Sequence, residues 1–197
     1  MRIVSMRRTL ESDHSSSSYE FYASRSLSDA EKKAVKRLSG KTARGRKLEI
    51  QYMGEREIDY SVENKLLAKY YDIEVSESYD WWTSRVALDY DEQLWEGLKR
   101  CEDRGDEDLG VDVEKKGDRI IVSFYYAMDY GAAFSAFGED PFEGLADLFE
   151  GIREDILAGD FSALVAIGTF YDAEIECKKG GKLSKNARTL KRILGRV

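Results

Sequence analysis

The sequence predicts an α+β fold: an antiparallel or mixed sheet of about five to seven strands, with helices packed on one face and a helical C-terminal third. Three observations support this prediction. Segments with alternating apolar residues come early, segments with helical apolar spacing dominate the last third, and the two kinds do not alternate strictly. Strict alternation would instead indicate a doubly wound parallel sheet.

The predicted strands follow the period-two alternation of half-buried β-structure. They cover residues 18–24, 46–53, 71–76 and 84–90, and residues 77–83 are predicted to be a loop. A hairpin is predicted in residues 111–128, with its turn near Lys116, Gly117 and Asp118. Together these segments form the predicted sheet.

The predicted helices begin where a capping residue precedes an apolar stripe. Ser28 and Glu31 have capping-box spacing, and Gly40 follows as a natural C-terminal residue. Further helices are predicted to begin near Ser61, Asp91, Asp140, Asp160 and Ser184. The helix after Asp160 is apolar on nearly every side, which predicts a buried central position.

The chain is expected to have one folded domain with a tail at each end. Of its 197 residues 42% are apolar and 35% charged, with one proline, which is typical of a globular protein. Residues 1–17 are predicted to be a disordered leader, 18–175 a single α+β domain, and 176–197 a basic linker with an amphipathic C-terminal helix. No segment reaches the roughly 18 apolar residues of a membrane helix. We therefore expect no membrane partner, and two cysteines far apart without a pairing motif favour a cytoplasmic protein.

Charge is distributed unevenly along the chain. Residues 1–50 contain 12 Lys/Arg and 6 Asp/Glu, residues 51–176 contain 11 and 32, and residues 177–197 contain 8 and none. An acidic body repels nucleic-acid phosphates, whereas the basic ends suit an acidic partner. The basic ends are equally consistent with folding back on the protein's own acidic body.

Residues for the common catalytic mechanisms are scarce. The single histidine, His14, lies in the serine-rich leader, so neither a histidine-dependent triad nor a histidine metal site is expected. The motifs of nucleophile elbows, P-loops and dinucleotide folds do not occur. Cys101 and Cys177 are far apart and are predicted to be reduced thiols. No cofactor or metal is expected. The sequence favours a protein without enzymatic activity but does not exclude an enzyme.

One weak catalytic pattern remains. Asp112, Glu114 and Lys116 alternate, so all three share one face of a strand. Magnesium-dependent nucleases use such a face, because the acids hold Mg²⁺ and the lysine stabilises developing charge. Asp103 or Asp106 would add an upstream acid. A solvated outer face of a strand gives the same pattern.

Two regions are candidates for binding a partner. The C-terminal helix combines an apolar stripe with cations, among them Lys185, Arg188, Lys191 and Arg192, which suit phosphates or an acidic protein groove. The other candidate is the tryptophan pair. Strand alternation places Trp82 with the core-facing residues and Trp81 on the outward side with Arg85. Trp81 and Arg85 are therefore predicted to contact a partner.

Four segments in order resemble a widespread bacterial family of small uncharacterised proteins. The similarity is carried by SYEFYASRSLSDAEKKAVKRLSGKTAR, YYDIEVSESYDWWTSRVAL, GDRIIVSF and LADLFEGIREDILAGDFSAL. They are similar to the family's Tyr-x-Glu-Phe opening strand, its Trp loop, its Gly-Asp strand and its Leu-Arg-x-Asp-Leu-x-x-Gly-Asp helix pair. The resemblance implies a shared fold and brings no assigned activity.

The favoured function is a non-catalytic protein-interaction or accessory module of a larger complex. The alternative is a nucleic-acid-associated accessory subunit that uses the basic C-terminal helix. A Mg²⁺-dependent nuclease is a weaker alternative. The sequence does not indicate the oligomeric state.

Overall fold

Seven strands form one sheet in the part of the chain that the structure, a computed structural model, describes: residues 16–53, 57–104, 109–172, 176 and 182–195. The strands are β1 (Ser16–Tyr22), β2 (Lys47–Met53), β3 (Ile73–Ser78), β4 (Trp81–Asp89), β5 (Asp103–Arg104), β6 (Gly110–Lys116) and β7 (Arg119–Ala127). Their order is β2-β1-β3-β4-β7-β6-β5, and every neighbouring pair is antiparallel. The predicted α+β class is confirmed, as is a sheet of five to seven strands.

The helices lie where the sequence predicts them, with one addition before Asp140, but Asp59 and not Ser61 caps the second helix, and the N-cap position of the sixth is Phe161 and not the predicted Asp160. They are α1 (Asp29–Ser39), α2 (Tyr60–Lys69), α3 (Glu92–Lys99), α4 (Tyr130–Phe137), α5 (Pro141–Leu157), α6 (Ser162–Phe170) and α7 (Lys185–Leu194). The Ser28–Glu31 capping box is present, and Gly40 ends α1 at φ 71°. Asp140 caps α5, because its Oδ1 accepts a hydrogen bond from the Glu143 N–H at 3.1 Å.

Helices cover both faces of the sheet, so their predicted placement on one face is wrong. Helices α3 to α7 pack on the face that carries Val75, Val86 and Val122. Helices α1 and α2 pack on the opposite face, against Phe21, Ala87 and Ile121. The physical reason is that Phe21, Ala87 and Ile121 put apolar side chains on this second face of β1, β4 and β7, and they too must be removed from water.

The C-terminal helix α7 belongs to the larger apolar cluster. Ala187, Leu190, Ile193 and Leu194 are buried and pack with residues of α5 and α6. Asn186 donates a hydrogen bond to Asp155 Oδ2 in α5 at 3.0 Å. The apolar stripe predicted from the sequence therefore contacts the body of the protein, and the cations lie on the other side of the helix.

The structure corrects the predicted state of one cysteine. Cys101 is fully buried and disulfide-bonded, not a reduced thiol. The sequence contains one other cysteine, Cys177, which lies outside the described residues. Residues 1–15, with His14 and most of the predicted leader, also lie outside them, and Ser16 and Ser17 begin β1.

Within the described residues, none of the helices combines the length and apolar character required to span a bilayer.

Candidate functional site: the Trp81 cleft

The tryptophan pair follows a two-residue turn. Tyr79 and Asp80 have φ angles of 55° and 65°, and Ser78 pairs with Trp81 across the turn. Two consecutive positive φ angles match the type I′ hairpin turn, whose twist suits antiparallel strands. The predicted loop over residues 77–83 is therefore wrong. Strand β4 starts directly at Trp81 and carries both tryptophans.

The two tryptophans lie on opposite faces of the sheet, as the alternation predicts. Trp82 is 1% exposed, its Nε1 donates to the Met128 carbonyl at 2.8 Å, and its ring lies 5.2 Å from that of Phe142. Trp81 is 52% exposed. Trp82 is thus a core residue, and Trp81 offers a large aromatic surface to solvent.

Arg85 shares the face of Trp81 but is not exposed, because α2 covers this part of the sheet. It is 2% exposed and donates to Glu74 Oε2 at 3.2 Å, to Ser123 Oγ at 3.2 Å and to Asn64 Oδ1 at 2.5 Å. Glu63 lies 3.5 Å from the same guanidinium. The prediction that Arg85 contacts a partner at the surface is therefore wrong. Arg85 organises buried carboxylates.

The carboxylates around Arg85 are held close together. Burial raises the pKa of Glu63 and the neighbouring Glu74 raises it further, while Arg85 opposes both, leaving it at about 9. Burial likewise raises the pKa of Glu74 despite the ion pair with Arg85. One arginine cannot compensate two buried carboxylates, so the pair retains a proton at neutral pH. Glu63 is the carboxyl that holds it.

A cleft of about 210 Å³ opens above this network, between α2 and the strand face. Trp81 and Tyr60, which is 48% exposed, contribute aromatic walls together with two further tyrosines, Tyr19 and Tyr125. Its carboxylates are Glu57, Glu63, Glu74 and Glu77, and Arg85 is its basic residue. The cleft is therefore both acidic and aromatic. We call it the Trp81 cleft.

The predicted nuclease residues lie beside this cleft. Glu114 lies 2.8 Å from Lys116 and accepts a hydrogen bond from the Tyr60 hydroxyl at 2.5 Å, as expected for one shared strand face. Burial opposes ionisation of Glu114, but the bonds from Lys116 and Tyr60 outweigh it and lower its pKa.

Asp112 is hydrogen-bonded to Glu102 instead. Among the described residues, no group of three or more His, Cys, Asp or Glu is placed to hold a metal ion. Asp106, one of the two upstream acids suggested by the sequence, lies outside the described residues, whereas Asp103 lies in β5. The arrangement therefore gives the nuclease hypothesis no geometric support beyond the shared strand face.

The basic residues of α7 are far along the chain from the Trp81 cleft, and their helix packs on the opposite side of the sheet. Lys185, Arg188, Lys191 and Arg192 are all exposed, while the other side of the helix is buried. Arg188 donates to the Leu183 carbonyl at 2.7 Å. The structure thus has two separate candidate surfaces, one acidic and aromatic and one basic.

Sequence reasoning missed Tyr60, Glu63 and Glu74 as site residues. A signal for one of them was present. With the turn at Tyr79 and Asp80, Glu74 pairs directly with Arg85 across the hairpin. Opposite charges facing each other in the interior strands of a sheet indicate a buried ion pair.

No protein-family model matches the chain, and no curated protein or solved structure matches it. The resemblance to the family with the Trp loop consequently stays a prediction.

Proposed function

We propose that this protein is an interaction module that docks on a partner protein through the Trp81 cleft and acts by binding rather than by catalysis. The observation that carries the proposal is the exposure of Trp81 at the edge of a formed cleft. Exposed aromatic residues that lie together mark interaction sites more often than single ones do, and tryptophan and tyrosine are among the residues most enriched at the energetic centres of protein interfaces.

The surroundings of Trp81 support the same function. Tyr79, in the hairpin turn, is 39% exposed, and Tyr60, which lines the same cleft as Trp81, is 48% exposed, so three large aromatic residues in the turn or the cleft face solvent. The hairpin itself is anchored, because the Met128 N–H donates to the Asp80 carbonyl at 3.1 Å and the Asp80 N–H donates to Glu77 at 3.0 Å. A backbone held in this way loses little conformational entropy on binding.

The test places a photo-crosslinking amino acid at position 81 and, as a control, at position 170. Phe170 is also exposed, at 37%, but lies at the end of α6 on the other side of the sheet. We expect position 81 to capture one partner saturably, with competition by untagged protein. We expect Trp81→Ala to abolish binding of the purified partner and Phe170→Ala to retain it. Equal binding by both variants would reject the proposal.

A second candidate function uses the basic side of α7. Its four exposed cations lie on a helix that is already held by its apolar side, so they are available to nucleic-acid phosphates. This arrangement favours the alternative of a nucleic-acid-associated accessory subunit. Deleting residues 178–197 is unsuitable as a test, because the deletion also removes Leu190 and its buried neighbours.

Charge removal without deletion tests this candidate. One variant replaces Lys185, Arg188, Lys191 and Arg192 with glutamine. The matched control replaces four cations of the α1 region: Lys33, Lys36, Arg37 and Lys41. Binding of a 20-nucleotide strand is measured by fluorescence anisotropy over a salt series. The function requires that the α7 variant lose affinity and salt dependence while the control keeps both. Identical salt slopes for the two variants would eliminate it.

A further inference from the structure

The Trp81 cleft has the size of a pocket for a single side chain. Its volume of about 210 Å³ lies below the roughly 300–1,000 Å³ of pockets that hold drug-sized ligands. A partner protein therefore fits by inserting one long side chain, while its remaining contacts spread over the surrounding aromatic residues.

The charges of the cleft select the kind of side chain. Four glutamates line it against one guanidinium. Glu63 keeps its proton at neutral pH, and the guanidinium is fully engaged by Glu74, Asn64 and Ser123. An anionic side chain would be repelled by Glu57 and Glu74, because Arg85 is already engaged, and an apolar one would desolvate Glu57 without giving it a partner. A cation is the charge that complements this lining.

The aromatic walls favour the same ligand. The guanidinium of Arg85 lies 5.3 Å from the centre of the Tyr60 ring, and the ammonium of Lys116 lies 5.7 Å from it. Trp81, which belongs to the aromatic residue type that binds cations best, is half exposed at the edge. In this cleft a carboxylate, Glu74, and an aromatic ring, Tyr60, already hold the guanidinium of Arg85.

We propose that the Trp81 cleft is a recognition pocket for a cationic side chain, arginine or lysine, of the partner protein. The proposal rests on the proposed function and adds the chemistry of the ligand. Trp81 and Tyr60 cover the alkyl stem and the cation, Glu57 binds it at the opening, and Glu63 faces it from α2.

Binding is linked to the protonation of Glu63. The titratable and charged groups packed around Glu63, or around the guanidinium it faces, come from five strands and from the α2 region: Tyr19, Glu57, Tyr60, Glu74, Arg85, Glu114 and Tyr125. A cation entering the cleft favours the ionised form of Glu63, so it displaces the proton. Affinity therefore rises as pH increases from 7 towards 9.

The test uses a small probe and does not need the partner. Nα-acetyl-arginine-N-methylamide carries one guanidinium that stays charged up to pH 9.5, and the citrulline analogue is its neutral isostere. Binding is followed by saturation-transfer NMR on the probe. We expect millimolar affinity for the arginine probe and at least roughly tenfold weaker binding of the citrulline probe. Equal affinities for the two probes overturn the proposal.

Variants locate the binding to the cleft. Trp81→Ala and Glu57→Gln, which remove an aromatic wall and an acid at the opening, are expected to weaken arginine binding several-fold. Glu154→Gln, which removes an exposed acid of α5, is the matched control and is expected to bind as wild type does. Unchanged binding by Trp81→Ala contradicts the proposal, because the probe is then attracted only by the net charge.

A pH series separates the specific site from general attraction. Wild-type affinity is expected to increase between pH 7 and pH 9.5, and Glu63→Gln is expected to lose this increase. Parallel pH profiles for wild type and Glu63→Gln contradict the link to Glu63.

The outcomes also distinguish the two proposals. If the partner depends on Trp81 but the arginine probe does not bind, the interaction function stands and the ligand is wrong. If the probe binds but position 81 captures no partner, the cleft recognises cations and the interaction function is wrong.

Discussion

At the scale of single residues, the two neighbouring tryptophans have different roles. Trp82 is enclosed by Tyr130 and Phe142, at ring distances of 5.9 and 5.2 Å, and its indole N–H is satisfied by a buried carbonyl. Trp81 leaves half of its surface in water. One residue step along a strand thus separates a residue that maintains the fold from one that is available for binding.

This difference predicts unequal effects on stability. Trp82→Ala removes a large buried ring and leaves a cavity, so we expect the free energy of unfolding to fall by about 3–5 kcal/mol. Trp81→Ala is expected to change it by less than about 1 kcal/mol, as for most exposed positions. Chemical denaturation of both variants measures the difference. Equal denaturation midpoints would show that the assignment is wrong.

Glu63 makes the stability depend on pH. Its pKa is about 9 in the folded protein, against an ordinary value of 4.5 in the unfolded chain. Between these values the unfolded chain gives up a proton that the folded protein keeps, so this contribution to stability decreases as pH rises from 4.5 to 9. Below pH 4.5 both states are protonated and the contribution is complete.

Glu63→Gln imitates the protonated carboxyl and does not titrate. We expect it to match the wild-type protein near pH 5 and to become progressively more stable than wild type as the pH approaches 9. Thermal unfolding at several pH values tests this, with Glu154→Gln as the control for loss of one acidic charge. A constant difference between Glu63→Gln and wild type across the range would contradict protonation of Glu63.

At the scale of elements, the sequence predicts helices and strands well where the signal is local. Capping by Ser28, Asp91, Asp140 and Ser184 sets the starts of α1, α3, α5 and α7, because each cap needs only contacts within one turn. The turn at Tyr79 and Asp80 escaped prediction because neither residue is glycine, although both adopt positive φ.

The candidate site was harder to predict than its elements. Alternation correctly put Trp81 and Arg85 on one face, but it could not show that α2 covers Arg85 and leaves Trp81 open. A charged residue on a strand gives the same pattern when it faces water and when it joins a buried ion network. Glu63 lies in α2 and Glu74 in β3, and only the packing of α2 on the sheet brings them together.

Helix α7 is predicted to be part of the stable body. Leu190 is fully buried in the larger apolar cluster, so Leu190→Ala is expected to lower the free energy of unfolding by about 2–5 kcal/mol. Lys191→Ala, at the exposed neighbouring position, is expected to have almost no effect. Denaturation monitored by tryptophan fluorescence compares the two, because Trp82 and Trp95 belong to or pack against the same cluster. An effect of Leu190→Ala below about 1 kcal/mol would instead indicate a loosely attached tail.

At the scale of the whole molecule, the two candidate surfaces are opposite in charge and lie on opposite sides of the sheet. The Trp81 cleft lies on the side of α1 and α2, and the cations of α7 lie on the side of the other helices. Because the rigid sheet separates them, a partner bound at one surface does not cover the other. If both proposed functions hold, one molecule binds a cationic segment and an acidic one at the same time.

The disulfide of Cys101 gives a prediction for the molecule as a whole. Cys101 follows α3 in the larger cluster, and a disulfide there closes a loop, which restricts the unfolded chain more than the folded one. Reduction is expected to lower the free energy of unfolding by about 2–4 kcal/mol and to lower the melting temperature. Thermal unfolding with and without dithiothreitol measures the effect, and Cys101→Ser, which lacks the bond, should not respond.

Alkylation of the denatured protein followed by intact-mass measurement gives the redox state directly. Labelling of Cys101 before any reduction would show that the thiol is free, as the sequence suggested. A bond that forms in the native organism would place the protein in an oxidising environment, where such bonds persist.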